Sequence, residues 1–96
     1  MANELFNVAG KVVVMTGGAG VLGKGISKYL AAQGVKMVVL DRSEEAGKAL
    51  VDEIVAQGHE ATFLYTDVMN KEVLEQNKKD ILEKYGRIDV LLNAAG

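Results

Sequence analysis

Cysteine, proline and tryptophan are absent from this 96-residue chain, and histidine occurs once. Without cysteine there is no disulfide framework, no thiolate nucleophile and no cysteine-based metal site. The single histidine, His59, lies in a Gly-His-Glu turn, where we expect it to be solvated rather than catalytic. The formal net charge of −2 provides no positive field for binding nucleic acid or an anionic membrane. Thiol chemistry, nucleic-acid binding and binding to an anionic membrane are therefore not expected.

Long apolar segments are also lacking. No apolar run approaches the roughly 20 residues that span a bilayer, and residues 1–11 lack the basic region and apolar core of a signal peptide. Hydrophobic residues make up 49% of the chain and charged residues 25%, which is typical of a globular protein. We therefore expect one small cytoplasmic domain, or part of a larger one.

Four short segments, mostly apolar, predict β-strands. They lack the strict alternation of polar and apolar residues that a half-exposed strand shows. A mostly apolar run is typical of a strand that is covered on both faces. The predicted strands span residues 11–16, 35–40, 60–66 and 88–93.

Three helices are expected between these strands. They run from Val21 to Gln33 before Gly34, from a Ser43 cap to Gly58, and from an Asn70 cap to Gly86. Their apolar positions, which should face the sheet, are Leu22, Ile26, Tyr29 and Leu30 in the first helix, Ala46, Ala49, Leu50 and Ile54 in the second, and Val73, Leu74, Ile81, Leu82 and Tyr85 in the third. Strand–helix alternation with short connections predicts an α/β fold, in which a parallel sheet has helices on both faces.

A glycine-rich stretch joins the first strand to the first helix. Residues 18–23 have the pattern G-x-G-x-x-G, and glycines at such a junction let the backbone approach a pyrophosphate on the N–H groups of the helix N-terminus. Asp41 ends the second strand about twenty residues later, where a carboxylate can accept hydrogen bonds from an adenosine ribose. The alternatives are a tightly packed glycine turn and, for Asp41, a cap or turn residue. Together the two features favour a dinucleotide.

Three segments resemble the short-chain dehydrogenase/reductase family. They are Thr16–Gly23, Asp67-Val68 after the third strand, and Gly86–Gly96 with its N-A-A-G ending, in the family's order and spacing from about Val8 onward. The resemblance implies a Rossmann-type sheet of strand order 3-2-1-4 and an activity that oxidises alcohols or reduces carbonyls with NAD or NADP. A methyltransferase-type Rossmann domain is an alternative, but it does not account for the T-G start or the N-A-A-G ending.

The resemblance also assigns residues to the cofactor. Asp41, beside Arg42, would accept from the ribose hydroxyls. Asp67 and Val68 would line the adenine pocket, and Asn93 would steady the fourth strand near the adenosine half. For Asp67 the alternative is a cap for the following helix. A carboxylate at position 41 favours NAD, because it would repel the 2′-phosphate of NADP, although the neighbouring guanidinium could partly offset that repulsion. The turn residues that would wrap the pyrophosphate are Gly17, Ala19, Gly20, Val21, Leu22 and Gly23.

Two positions depart from the family's patterns. In T-G-x-x-x-G-x-G the second glycine falls on Val21, so we expect Gly20 to take over part of the close approach to the pyrophosphate. The usual N-N-A-G is N-A-A-G here, which removes a side-chain hydrogen bond at Ala94. The Val-Leu-Gly ending of the turn is similar to that of members acting on sugar acids, such as mannonate (fructuronate) oxidoreductases.

The family's catalytic pair is Tyr-x-x-x-Lys, in which the tyrosine exchanges a proton with the substrate oxygen and the lysine lowers the tyrosine pKa. The residues four positions after the three tyrosines are Gln33, Met69 and Asp89, so none of them forms this pair. We interpret Tyr29 and Tyr85 as helix packing residues and the remaining tyrosine as part of a strand. No catalytic residue and no metal ligand are assigned.

Residues 1–96 are therefore predicted to be the NAD-binding, Rossmann-type half of a short-chain oxidoreductase, incomplete at its C-terminal end. The expected partners are the dinucleotide, a small-molecule substrate and, in the full-length protein, further copies of the same chain. A stand-alone nucleotide-binding module without catalysis is the alternative.

Overall fold

The computed structural model describes residues 8–17, 19–67 and 69–94. All seven predicted elements are present within these ranges, and they alternate along the chain as expected. They are β1 (Val12–Thr16), α1 (Val21–Ala32), β2 (Lys36–Asp41), α2 (Glu44–Ala56), β3 (Ala61–Tyr65), α3 (Lys71–Tyr85) and β4 (Val90–Asn93). The strands are shorter than or offset from the predicted segments by one or two residues, which is the usual uncertainty of element ends.

The four strands form one parallel sheet in the order β3-β2-β1-β4, as predicted. The chain steps from β1 to β2 to β3 in one direction and then returns to the other side of β1. Because crossover connections between parallel strands are right-handed, this reversal places α1 and α2 on one face of the sheet and α3 on the other.

Each face of the sheet carries its own apolar core. Strand residues Val13, Met15, Met37 and Val39 pack with Leu50 and Ile54 of α2 on one face, whereas Val12, Val14, Val38 and Leu40 pack with Ile81 of α3 on the other. Successive residues of a strand point to opposite faces, so a strand that is covered on both sides must be apolar throughout. This requirement explains the near-continuous apolar sequence of β1 and β2.

The packing face of α1 differs in part from the prediction. The side chains of Leu22 and Tyr29, expected to face the sheet, are 67% and 65% exposed. The buried residues of α1 are instead small, Gly23, Ser27 and Ala31, and the Ser27 hydroxyl lies 3.8 Å from the thioether sulfur of Met15. The four-residue spacing of these small residues lets the helix lie close to the sheet. Ile26 and Leu30 pack against the core beside them, as predicted, whereas Leu22 and Tyr29 are turned toward solvent.

Smaller corrections apply to the other two helices. Ala49 and Leu82 were expected to face the sheet, but both are exposed. In α2 the buried residues are Leu50 and Ile54, as predicted, and also Gly47, where an added Cβ would collide with the ring of Phe63. A glycine in contact with an aromatic side chain is not detectable as an apolar position in the sequence, so Gly47 was not predicted.

The predicted helix ends are confirmed. The Ser43 hydroxyl accepts a hydrogen bond from the N–H of Ala46 at 3.2 Å, and the Asn70 side-chain oxygen accepts one from Val73 at 3.2 Å. Gly86 ends α3 in the left-handed region at φ +76°, which other residues adopt only with strain. No helix among the described residues combines the length and hydropathy needed to cross a bilayer.

Candidate functional site

The candidate site is a cleft at the carboxyl ends of the strands. Its volume is about 270 Å³, and it is lined by Gly17, Gly20, Leu40, Asp41, Arg42, Thr66 and Ala94. These residues follow or end all four strands, so the cleft is assembled by the sheet rather than by one loop. Open α/β sheets bind ligands at this edge, next to the point where the strand order reverses. Here the order reverses at β1.

The floor of the cleft is the turn between β1 and α1. The N–H of Gly17 donates to the carbonyl oxygen of Leu40 at 2.7 Å, which extends the pairing of β1 with β2 by one residue. Gly17 then turns the chain with φ +69°. The N–H of Gly20 donates back to the carbonyl oxygen of Gly17 at 3.2 Å. Of the described turn residues, Gly17 and Gly20 line the cleft, and neither carries a side chain.

The N-terminus of α1 is chemically unlike those of the other two helices. Within the described residues Gly20 is its N-cap, no side chain accepts from its first turn, and that turn holds no acidic residue. By contrast, α2 and α3 have side-chain caps and glutamates in their first turns. The first intrahelical bond of α1 runs from Lys24 N–H to the Gly20 carbonyl oxygen at 2.7 Å. N–H groups in the first turn of a helix and the positive end of its dipole favour an anion.

Asp41 lies at the end of β2 and faces the same turn. Its Oδ2 accepts a hydrogen bond from the backbone N–H of Ala19 at 3.1 Å, and its Oδ1 accepts one from Ser43 at 2.9 Å. The neighbouring Arg42 is exposed and also lines the cleft. The predicted carboxylate therefore ends β2 and lines the cleft, and it is also part of the turn's own structure. Its contact with a ribose stays a prediction.

The wall formed after β3 includes a residue that the sequence did not single out. Thr66 is 1% exposed and its N–H donates to the carbonyl oxygen of Asp41 at 2.9 Å. Its hydroxyl accepts a hydrogen bond from the side chain of Asn77, which anchors α3 beneath the cleft. A threonine at the end of a mostly apolar run gives little signal of such burial. In the sequence, only the position of Thr66 directly before Asp67 indicates that it lies at the cleft.

Asp67 follows Thr66, and its Oδ1 accepts from the N–H of Met69 at 2.9 Å. This is a turn contact, and the cap of α3 is Asn70, so the capping alternative for Asp67 is not observed. Val68 lies outside the described residues. The placement of Asp67 in an adenine pocket stays a prediction.

The end of β4 is joined to the end of β1 by side chains. The Thr16 hydroxyl donates to Oδ1 of Asn93 at 3.1 Å, and the N–H of Ala94 donates to the Thr16 carbonyl oxygen at 2.9 Å. Asn93 therefore braces β4 against β1 at the edge of the cleft. Its contact with a cofactor stays a prediction.

The other three residues predicted to wrap the pyrophosphate begin α1, and they differ in exposure. Val21 is 97% exposed, Leu22 is also exposed, and Gly23 is buried against the sheet. Val21 is not among the residues that line the cleft, whereas Gly20 is. This distribution is compatible with the close approach being made at Gly20.

None of the three tyrosines lines the cleft. Tyr85 packs against the α3-side core, as predicted, and its hydroxyl lies 2.7 Å from that of Thr62. Tyr29, predicted to pack, is exposed, and Tyr65 is 49% exposed in β3. Within the described residues there is no group of three His, Cys, Asp or Glu side chains that could hold a metal ion.

Comparisons with known proteins agree with this geometry. The profile of the family described as short chain dehydrogenase matches residues 11–96. An uncharacterized oxidoreductase of Bacillus subtilis, UxuB, is 44% identical over 90 residues, which cover 94% of this chain and 32% of that protein.

Two solved structures are also similar. A putative D-mannonate oxidoreductase from Haemophilus influenza with bound NAD is 31% identical, with a TM-score of 0.89 over 94% of this chain and 32% of that one. A metagenomic short-chain oxidoreductase in complex with NADP is 32% identical, with a TM-score of 0.83 over 88% of this chain and 38% of that one. The chain thus spans about a third of the length of the proteins it matches.

Proposed function

This chain belongs to the short-chain dehydrogenase family, and we propose that it binds NAD(H) as the cofactor-binding part of an oxidoreductase that acts on an alcohol or carbonyl substrate. The observation that carries the proposal is the N-terminus of α1, which has neither a side-chain cap nor an acidic residue and opens onto a glycine-lined cleft beside Asp41. Membership of this family sets aside the methyltransferase-type alternative.

The pyrophosphate would lie on the turn between β1 and α1. There the first-turn N–H groups and the helix dipole offset two negative charges, and no side chain of Gly17 or Gly20 holds the phosphates away. Leu22 and Gly23 follow within the first turn and would contribute backbone donors. Asp67, Val68 and Asn93 would border the adenosine half.

Asp41 would distinguish NAD from NADP. A carboxylate about 4 Å from a 2′-phosphate repels each unit of charge by about 4 kcal/mol at an effective dielectric constant near 20, whereas the same group can accept from the ribose diol. Arg42 lines the cleft beside it and could pair with the phosphate, which reduces the discrimination. Both cofactors occur among similar structures, so the preference rests on this charge.

The bound nicotinamide would supply hydride transfer, and this chain's own residues would bind and orient it. The Tyr-x-x-x-Lys pair does not occur in the 96 residues, so we place proton exchange with the substrate in the full-length protein outside this part. We further propose a sugar acid as substrate. Support comes from the Val-Leu-Gly ending of the turn and from the similar structure described as a putative D-mannonate oxidoreductase.

Calorimetric titration of the protein with NAD⁺ and with NADP⁺ tests the cofactor proposal. We expect NAD⁺ to bind more tightly. Replacement of Arg42 by Ala should widen the difference, because it removes the charge that can pair with a 2′-phosphate. Tighter binding of NADP⁺ by the unmodified protein would overturn the preference for NAD.

A further inference from the structure

The carboxylate of Asp41 joins two segments that are far apart in sequence. One oxygen accepts from Ala19, 22 residues earlier in the glycine-rich turn, and the other from Ser43, at the start of α2. The turn's other described bond to β2 is the one from Gly17 to Leu40, made by backbone atoms alone. Asp41 therefore provides the only side chain that is hydrogen-bonded to the turn within the described residues.

We propose that Asp41 is a positioning residue for the pyrophosphate-binding turn, in addition to any contact with ribose; this inference rests on the function proposed above. The Asp41 carboxylate fixes the turn at Ala19, which lies between Gly17 and Gly20 in the sequence. Without it, the described part of the turn is hydrogen-bonded to β2 only through the N–H of Gly17. The first-turn donors of α1 would then be presented to an anion in a less defined geometry.

The two roles of Asp41 are compatible. A carboxylate has about four lone-pair sites, of which the backbone bonds to Ala19 and Ser43 use two. The others are left for a ribose diol. Because the N–H of Ala19 is directed to this carboxylate, it is not a phosphate donor, and the phosphate contacts fall to the first turn of α1.

An Asp41→Asn variant should break the hydrogen bond from Ala19 and keep the one from Ser43. Asparagine readily keeps the short turn contact with Ser43 through its single side-chain oxygen. Its amide nitrogen would then face the N–H of Ala19, a donor against a donor. The variant should therefore release the turn while the entry to α2 is preserved.

Amide hydrogen exchange of the ligand-free protein, measured by NMR, tests the structural part. Loss of one charge-assisted hydrogen bond should make the Ala19 amide of Asp41→Asn exchange about tenfold faster than that of the wild type. Amides of Val13 and Val38 in the sheet should be unchanged, which shows that the variant is folded. The matched control is Asp67→Asn, which makes the same chemical change at a turn contact with Met69 that does not involve the glycine-rich turn.

Ligand binding tests whether the turn is positioned for the pyrophosphate. The probe is 2′,3′-dideoxy-ADP, which keeps the pyrophosphate and lacks both ribose hydroxyls. If Asp41 positions the turn, Asp41→Asn should bind this probe at least about threefold more weakly, although the variant has lost a negative charge that opposes anions. A residue that acted only through the ribose hydroxyls would give unchanged or tighter binding of the probe.

Three results would overturn the inference: an Ala19 exchange rate that Asp41→Asn leaves unchanged, undiminished affinity of that variant for the probe, or an Ala19 amide unprotected in the wild type. The last applies even where the variant fails to fold. Failure of the proposed function is a separate result, since the wild type would then bind neither NAD⁺ nor the probe while Ala19 exchange still responded to Asp41→Asn.

Discussion

The carboxylate of Asp89 accepts a hydrogen bond at 2.7 Å from the backbone N–H of Val12, the first residue of the interior strand β1. The same carboxylate forms a two-oxygen ion pair with the Arg87 guanidinium, with N–O distances of 2.8 to 3.0 Å. A charged side chain thus closes the amino end of the β1–β4 pair. The Thr16 and Asn93 side chains close the other end.

These contacts predict a dependence of stability on pH. The hydrogen bonds from Arg87 and then from Val12 hold the pKa of Asp89 below its ordinary value of 3.8. A lowered folded-state pKa stabilises the fold above 3.8, and this contribution is lost as the pH falls below 3.8 through the folded-state value. At neutral pH, Asp89→Asn should therefore have a lower Tm than the wild type, and the difference should shrink in acid.

The measurement is thermal unfolding of both proteins across this acid range. Asp52→Asn is the matched control, since Asp52 is an exposed carboxylate on α2. A Tm difference between Asp89→Asn and wild type that stays constant well below pH 3.8 would contradict the assignment.

The exposed side chain of Val21 leads to a prediction about the turn. If Gly20 makes the close approach, Val21→Gly should change the NAD⁺ dissociation constant by less than tenfold, which is under about 1.4 kcal/mol. Calorimetric titration of the variant with NAD⁺ measures this change. A much larger gain in affinity would show that Val21 obstructs the pyrophosphate.

The edge strand β4 leads to a prediction about the 96-residue chain by itself. Val90 and Leu91 of β4 are 41% and 67% exposed. Beside them a largely apolar groove of about 480 Å³ lies between the sheet and α3, lined by Val14, Thr16, Leu40, Leu74, Asn77, Lys78, Ile81, Ile88 and Leu91. An apolar edge strand invites pairing with another chain. We expect isolated residues 1–96 to self-associate through β4, or to be only marginally stable.

Sedimentation and thermal unfolding of residues 1–96 test this expectation. Leu91→Lys should reduce association, because a charged edge residue opposes pairing. Val55→Lys is its control, since Val55 is an exposed apolar residue on α2, 52% exposed. A monomer that unfolds cooperatively above about 60 °C would instead favour a stand-alone binding module.

The sequence predicts the sheet better than the helix faces. The apolar runs of β1 and β2 identify the buried strands, and the change of direction after β3 follows from the resemblance to a known fold. The exposure of Leu22 and Tyr29 on α1 could not be predicted, because two sets of residues compete for the sheet. Leu22 and Tyr29 are the more hydrophobic stripe, yet the small residues Gly23 and Ser27 allow closer packing and are buried.

The site was predictable in its residue types and less so in its contacts. The glycine pattern and Asp41 are detectable by their spacing. The bond from Ala19 to Asp41 depends on how a turn and a strand end meet in three dimensions, which spacing does not encode. Thr66 likewise lines the cleft through backbone contacts that a single polar residue in the sequence does not reveal.

The central claim is that the N-terminus of α1 holds an anionic part of the cofactor. Gly20 has φ −72° and ψ 173°, a conformation open to any residue, and an added Cβ would lie 3.4 Å from the nearest atom, the Gly17 carbonyl oxygen. Gly20→Asp would therefore be accommodated and would cap α1 in place of the glycine. The same carboxylate would occupy the proposed pyrophosphate position. Gly25→Asp is the matched control, because it adds the same charge to α1 where a Cβ meets no atom within 4 Å.

The most direct measurement is calorimetric titration of wild type, Gly20→Asp and Gly25→Asp with NAD⁺, together with the Tm of each protein. We expect Gly20→Asp to retain a Tm at least equal to that of the wild type and to bind NAD⁺ at least about a hundredfold more weakly, owing to charge repulsion in the cleft. Gly25→Asp should bind NAD⁺ within a few-fold of the wild type. Equal affinity of Gly20→Asp and wild type for NAD⁺, or no binding of NAD⁺ by the wild type, would contradict the account.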